Sequence, residues 1–310
     1  MTEHFLSLAD HPGERLQWLL GVAAEVKSDP GRFRDRLQGR ALGMIFQKPS
    51  TRTRISFEVG IAQLGGRGLF LSSLDLQLGR GETIADTAKV LSRYLDCVMA
   101  RVFDQADLEE LARGGSIPVI NGLSDLLHPC QVLADYFTLR ECFGGLQGVR
   151  LAYVGDGNNM AHSLLLGGPL FGVDVAVATP VEDAPDADIV ERARAAAAAA
   201  GTRIEVDTDP AAAVADADAV YTDTWVSMGQ ESGRAKRLAR FSGFQVDSSL
   251  MAGAKPGAKF MHCLPAHRGE EVTDEVIDSP ASLVWEEAEN RLHAQKALML
   301  FLMGAVKSDG

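Results

Sequence analysis

The sequence predicts an α/β protein built of two doubly wound parallel-sheet domains, with a site in the cleft between them. Three observations predict it. The 310 residues exceed one ordinary core and suit domains of roughly 100–200 residues each. Short apolar runs of strand length alternate with longer helix-like segments along both halves, the pattern of parallel sheets covered on both faces. The composition is that of a globular chain, 46% hydrophobic and 23% charged, which is too apolar for general disorder.

Taken in order, 41–47 (ALGMIFQ) reads as a buried strand. Residues 50–65 read as a helix that opens on polar residues and stops at Gly65-Gly66. Strands follow at 68–72, 97–103 and 117–121, and helices at 82–94, 105–113 and 128–143, the last stopping at Gly144-Gly145. The second half repeats the alternation, with strands at 149–154, 173–178, 203–206, 219–222 and 258–263. The low-complexity run 193–200 is rich in alanine, the best helix former, and is expected to be an exposed helix. A final helix is expected from near Glu289 to about Val306. The division is placed at 144–148, giving domains 1–146 and 147–290. Residues 291–310 are assigned to the first domain, a return that the strand pattern alone does not decide.

The net charge is 30 − 42 = −12, the opposite of what a nucleic-acid binder shows. The four cysteines, Cys97, Cys130, Cys142 and Cys263, form no CxxC pair and no His/Cys cluster of zinc spacing, so free thiols in a reducing cytoplasm are expected. No secretory leader opens the sequence, and no apolar run approaches the ~20 residues of a membrane span. Nucleic-acid and membrane partners are therefore not expected.

In open α/β sheets ligands lie beyond the carboxyl ends of the strands. Here those positions hold Lys48 to Arg54, Arg101, the segment from Asn121 to His128, residues 155–159, 223–229 and 262–268. Ser50-Thr51-Arg52-Thr53-Arg54 follows a strand and opens a helix. Helix N-termini bind phosphate through unpaired N–H groups and a positive dipole end, and hydroxyls and guanidiniums add charge-assisted bonds. Set against this is the plain reading of a capped helix with two solvated arginines, which fits an isolated Ser-Thr-Arg but not the whole block after an apolar strand.

The block from Phe46 to Glu58, Phe-Gln-Lys-Pro-Ser-Thr-Arg-Thr-Arg-Ile-Ser-Phe-Glu, resembles the carbamoyl-phosphate loop of the aspartate and ornithine carbamoyltransferases. His128-Pro129-Cys130-Gln131 resembles that family's HPxQ signature. The likeness continues through 153–163, 221–231, 260–272 and 285–296. It implies that Ser50, Thr51, Arg52 and Thr53 hold the phosphate, and that Arg101 and His128, with Thr53, polarise the carbamoyl carbonyl. It implies that Gln131 accepts from the carbamoyl amide together with the backbone carbonyls of Cys263 and Leu264, and that Arg291 reaches the substrate. Gln77 stands where the family lends a residue to a neighbouring subunit, so a homotrimer or an assembly of trimers is implied. No metal or organic cofactor is implied.

The acceptor decides between the family's branches. An aspartate acceptor needs cations for its extra carboxylate, whereas Thr222-Asp223-Thr224-Trp225-Val226-Ser227-Met228-Gly229 offers an anion at a strand end. Asp223 suits the α-ammonium of ornithine, Ser227 its carboxylate, and Met228 an adaptable apolar cover. His262-Cys263-Leu264-Pro265 resembles the ornithine branch, and places Cys263 against ornithine and the carbamoyl group, as a catalytic residue beside Arg101 and His128. Asn159 is expected to bind the ornithine carboxylate, with Asn158 second. The implied reaction moves the carbamoyl group of carbamoyl phosphate onto the δ-amine of L-ornithine, giving L-citrulline and phosphate in arginine biosynthesis. N-acetylornithine, putrescine or aspartate as acceptor, or a non-catalytic binding module, are the alternatives. Gly155-Asp156-Gly157-Asn158-Asn159-Met160 also resembles the start of a dinucleotide fingerprint. Against that reading, Met160 takes the third glycine position and Ala178-Thr179-Pro180, with no acid, ends the next strand.

Overall fold

The computed structural model describes residues 2–72, 81–226 and 233–307. By internal contacts it divides into two compact units, Met1–Phe137 with Glu289–Gly310, and Thr138–Ala288.

The first unit opens with α1 (Gly13–Ser28), then β1 (Ala41–Phe46), α2 (Thr51–Gln63), β2 (Arg67–Ser72), α3 (Ile84–Tyr94), β3 (Cys97–Arg101), α4 (Gln105–Gly114), β4 (Val119–Leu123) and the first part of α5 (Pro129–Phe143). Its four-stranded sheet has the order β2-β1-β3-β4, all pairs parallel. Strand order therefore reverses between β1 and β3. The segment after β1 is the Ser50–Arg54 block, and β3 ends on Arg101, so both lie at the switch point where an open parallel sheet binds ligands. Gln47 N–H donates to the Arg101 carbonyl at 2.9 Å, holding the two strand ends together. Pairing of β3 with β4 shifts register between Ala100 and Arg101. Such an irregularity re-aims a side chain beside a site, and it is why the strand stops at Arg101 instead of running to 103.

The second unit continues with β5 (Arg150–Val154), α6 (Asn159–Phe171), β6 (Asp174–Ala178), α7 (Ala187–Ala200), β7 (Ile204–Asp207), α8 (Pro210–Val214), β8 (Ala219–Thr222), α9 (Arg234–Arg240), α10 (Ser248–Ala252), β9 (Lys259–His262), α11 (Asp274–Ile277) and the start of α12 (Val284–Leu302). The sheet order is β7-β6-β5-β8-β9, again parallel throughout. Here the reversal falls between β5 and β8, which brings the ends carrying Asn158 and Asp223 side by side.

The core follows from the strands' apolar runs. In the second unit Val154, Val220 and Phe260 are buried with Trp225 and Phe241, whose rings stack at 5.2 Å. Helices open on side-chain caps: Ser50 on α2, Thr83 on α3, Asp104 on α4, Asp209 on α8. Each such cap is worth roughly 1 kcal/mol.

Several sequence expectations change in detail. The break between units falls inside α5, between Phe137 and Thr138. The helix α1 was not foreseen, although Leu16, Leu19, Leu20, Ala23 and Val26 recur at helical spacing and are all buried. The last helix starts at Val284, five residues before Glu289, because Glu286 and Glu287 furnish an acidic first turn that favours the positive end of the helix dipole. It ends at Leu302, before Val306. Gly304 takes φ +73°, with Ala305 N–H donating to Leu300 and Gly304 N–H to Phe301, a Schellman stop. The alanine run is not wholly exposed: Ala193 and Ala197 are buried and the rest of that turn faces outward.

Gly157, the second glycine of the fingerprint-like stretch, is needed by the fold. A Cβ there would sit 2.3 Å from Pro185 N and 2.5 Å from Ala184 C and Asp183 O, all backbone atoms. The glycine therefore serves close chain packing after β6, not the approach of a pyrophosphate. Gly157→Ala is expected to cost about 1–3 kcal/mol through overpacking, read as a lowered thermal midpoint, while Gly145→Ala, which meets nothing within 4 Å, leaves the midpoint in place.

Candidate active site

In the first unit the site begins at the N-terminus of α2. Ser50 is its cap, the Oγ accepting from Thr53 N–H at 3.2 Å. Thr51 is exposed and Arg52 half-buried, so the first turn keeps its outward N–H groups and a cation for an anion. Thr53 is buried. Its Oγ1 accepts from Arg291 Nη2 at 3.2 Å, and Arg291 Nη1 donates to Gln131 Oε1. Gln131 Nε2 in turn donates to Asp135 Oδ1 at 2.8 Å. Arg291, Gln131 and Asp135 are all buried. The second residue ahead of the loop, Lys48, is buried too, pairs with Asp125 and lies 4.4 Å from the Phe103 ring centroid. It braces the loop.

Arg101 is 5% exposed and His128 6%. Burial, then the charges of Arg291 and Arg101, hold the His128 imidazole well below the usual histidine range. His128 is therefore a neutral ring at neutral pH, able to donate one hydrogen bond but adding no charge. Thr53, Arg101, His128, Gln131 and Arg291 were named from the sequence and share the first unit's buried polar set. Asp135 was not named. Its signal was present, as an acid one helical turn after Gln131.

In the second unit Asp223 follows β8 and is 8% exposed. Asn158 Nδ2 donates to Asp223 Oδ2 at 2.8 Å, and the Cys263 thiol donates to Asp223 Oδ1 at 3.1 Å. Asn158 also caps α6, its Oδ1 accepting from Met160 N–H at 2.8 Å. The sequence ranked Asn159 above Asn158. In the structure Asn158 is the residue that orients Asp223, and Asn159 is half-buried at the first position of α6. Tyr153 OH donates to the Asp156 carbonyl at 2.8 Å. Asp156 meets Arg237 Nη2 at 2.6 Å, and Arg237 also meets Asp183 at 3.1 Å. Burial pushes the Asp156 carboxyl up to about 7 against the opposing charge of Arg237.

At the end of β9, His262 is fully buried. Its Nδ1 accepts from Leu264 N–H at 2.8 Å and its Nε2 lies 3.1 Å from Glu271 Oε1. Leu264 is held at φ +56°, an uncommon conformation for a residue with a Cβ, and it carries a backbone carbonyl that the family resemblance assigned to the carbamoyl amide. His262 and Glu271 thus brace the Cys263-Leu264 turn. Among the described residues, the ligand atoms of Asp223, His262 and Cys263 lie within 4.8 Å of one another, as do those of His267, Glu270 and Glu271. These are hydrogen-bonding sets: both His262 nitrogens are engaged, and Glu271 Oε1 accepts from His267 N–H as well. Gln77, Ser227 and Met228 lie outside the described residues.

Comparisons with known proteins cover the whole chain. The profile of the aspartate/ornithine carbamoyltransferase carbamoyl-P binding domain matches residues 3–141, and that of the Asp/Orn binding domain matches residues 147–302. An ornithine carbamoyltransferase of Pyrococcus abyssi is 56% identical over 305 residues, 98% of this chain and 96% of that protein. A Pyrococcus furiosus relative named as the anabolic ornithine carbamoyltransferase is 55% identical over 304 residues, 97% of this chain and 96% of its own. The solved Pyrococcus furiosus ornithine carbamoyltransferase superposes with a TM-score of 0.95 at 55% identity, covering 99% of this chain and 98% of that one. The Giardia lamblia ornithine transcarbamoylase gives 0.91 at 33% identity, covering 99% and 100%.

The His128 ring supplies a pH test. The unfolded imidazole titrates near 6.5 and the folded one lower, so on acidification the unfolded chain takes the proton first and stability falls as pH drops below about 6.5. An NMR titration is expected to show His128 still neutral at pH 6. A midpoint at or above 6.5 would contradict its neutral-donor role.

Proposed function

The chain belongs to the aspartate/ornithine carbamoyltransferase family, and we propose that it transfers the carbamoyl group of carbamoyl phosphate to the δ-amine of L-ornithine, releasing L-citrulline and phosphate. The observation that carries the choice of acceptor is the buried Asp223 carboxylate, set between Asn158 and the Cys263 thiol. A second carboxylate, as on an aspartate acceptor, would be repelled there, whereas an ammonium is attracted.

Carbamoyl phosphate binds at the α2 N-terminus through Ser50, Thr51, Arg52 and Thr53. Arg101, the neutral His128 and Thr53 donate to the carbamoyl oxygen, and Gln131, with the Cys263 and Leu264 carbonyls, takes the carbamoyl N–H groups. Arg291 completes the set. Ornithine is held by Asp223, Asn159, Ser227 and Met228, with Cys263 touching both ornithine and the carbamoyl group. The δ-amine resembles that of lysine, with a free pKa of about 10.4, and must shed a proton before its lone pair attacks the carbonyl carbon. Negative charge then builds on the carbonyl oxygen, where fixed donors stabilise the tetrahedral state more than the ground state. The C–O bond to phosphate breaks, and the leaving phosphate takes the remaining amine proton.

The same reading extends to assembly. Ile55, Val59, Leu69 and Phe70 are large apolar side chains exposed on α2 and on β2, and β2 is an edge of its sheet. Gln77 follows that strand in sequence. A homotrimer with Gln77 shared between sites accounts for both. Cytoplasmic residence fits the four free cysteines. No helix among the described residues is long and apolar enough to cross a membrane. The direction toward citrulline, and so toward arginine, is that of the Pyrococcus furiosus relative named anabolic.

The deciding experiment is a carbamoyl-transfer assay with ornithine, N-acetylornithine, putrescine and aspartate in parallel. Product is expected from ornithine, and faster turnover of another amine would displace this reading. Arg101→Ala is expected to lower turnover by about 10²–10³, the usual effect of deleting one such donor, with the fold retained. Asp223→Asn is expected to raise the KM for ornithine while carbamoyl phosphate still binds. Equal loss of both substrates would place Asp223 elsewhere.

A further inference from the structure

A glutamine amide has two ends of similar shape and opposite hydrogen-bonding sense. Gln131 is useful to carbamoyl phosphate only if its oxygen faces the site. Its neighbours settle which way it lies. On one side is Asp135, fully buried on the same helix face four residues on, and an acceptor only when ionised. Gln131 Nε2 donates to it at 2.8 Å. On the other side is Arg291, a donor only, whose Nη1 is directed at Gln131 Oε1. Turning the amide over would set oxygen against carboxylate and N–H against guanidinium, exchanging two charge-assisted bonds for two repulsions.

The sense continues along the chain of bonds. Arg291 Nη2 donates to Thr53 Oγ1 at 3.2 Å, so the Thr53 hydroxyl hydrogen is turned away from Arg291 and is available to a substrate oxygen. With its amide oxygen toward Arg291, Gln295 accepts from Nε at 3.0 Å and Nη2 at 2.9 Å and donates to Ser56 Oγ at 2.6 Å. This holds the guanidinium plane from behind.

We propose that Asp135 is a positioning residue for carbamoyl transfer: its carboxylate fixes the Gln131 amide so that, through Arg291, Gln131 presents an acceptor and Thr53 a donor to the carbamoyl group. Asp135 does not touch the substrate. It deepens the functional reading above and rests on it. A buried carboxylate is costly to maintain, and here its charge does work that an apolar residue could not.

The test is steady-state citrulline formation by the wild type, Asp135→Asn, Gln131→Ala, Gln131→Glu and the doubles Asp135→Asn/Gln131→Ala and Asp135→Asn/Gln131→Glu, with a thermal midpoint for each. Asp135→Asn is expected to raise the KM for carbamoyl phosphate by at least about tenfold, the effect of weakening a charge-assisted bond, and to leave the KM for ornithine within about threefold. In the Gln131→Ala background the same change is expected to add less than about twofold, since coupled residues are not additive. Gln131→Glu sets two carboxylates face to face. Adding Asp135→Asn restores a donor–acceptor pair, so the double is expected to recover at least about tenfold in kcat/KM for carbamoyl phosphate over Gln131→Glu alone. This rescue is readable even if the single Asp135→Asn variant folds poorly. Multiplying effects in the alanine background, or no rescue in the glutamate background, overturns the proposal. A wild type that forms no citrulline sinks the functional reading, whereas an active wild type with unmoved variants sinks only the role of Asp135.

Discussion

A guanidinium taken almost wholly out of water must meet its donors with acceptors, and Arg291, 3% exposed, meets that demand with groups from separate elements. It donates to Thr53 on α2 and to Gln131 on α5 while itself standing on α12. An unpaired buried charge of this kind costs several kcal/mol. The three helices of the first unit are therefore held in one arrangement by a requirement that none could satisfy alone. That arrangement sets the α2 N-terminus and the Gln131 amide relative to each other before any substrate arrives, which is the sense in which the donors are preorganised.

The net charge of −12 makes local concentration of cations necessary for an anionic substrate. The first unit collects Arg52, Arg101 and Arg291 around two strand ends and a helix N-terminus, and burial, then the charges of Arg291 and Arg101, keeps His128 neutral. The cost of packing cations together is thus lowered by one charge, and the ring still offers a donor. In the second unit the sign is inverted. Asp223 is the acid at the strand end, held by Asn158 and the Cys263 thiol, while burial pushes the nearby Asp156 carboxyl up to about 7 beside Arg237. In the proposed reaction one unit holds the phosphate and the other the ammonium, the division of labour that a transfer from an acyl phosphate to an amine requires.

Much of this was legible in the sequence, for identifiable reasons. Strand-sized apolar runs gave both parallel sheets, because a strand buried on two faces has no polar alternation to obscure it. The Ser50–Arg54 block announced itself through residue type after a strand, and the His128–Gln131 block through its resemblance to a family signature. What escaped reading was relational. The alternation of strands does not state sheet order, so the placement of Asn158 beside Asp223 appears only when β5 and β8 are neighbours. Gly157 looked like part of a nucleotide loop because a close approach reads the same whether the approaching atoms belong to a ligand or to residues 183–185. Asp135 went unnamed, and only its burial and its bond to Gln131 mark it out. The N-terminal helix α1 could have been found from its leucine spacing, whereas the first turn of α12 depended on weighing Glu286 and Glu287 as helix openers.

The arrangement depends on the fork geometry of Arg291 rather than on its charge alone. Lysine keeps the charge but cannot bond two acceptors in one plane. The direct measurement is therefore calorimetric binding of carbamoyl phosphate to the Arg291→Lys protein, with thermal unfolding recorded alongside. Binding is expected to weaken by at least about tenfold, the scale of one lost charge-assisted bond, in a chain that remains folded. Binding at wild-type strength would contradict it.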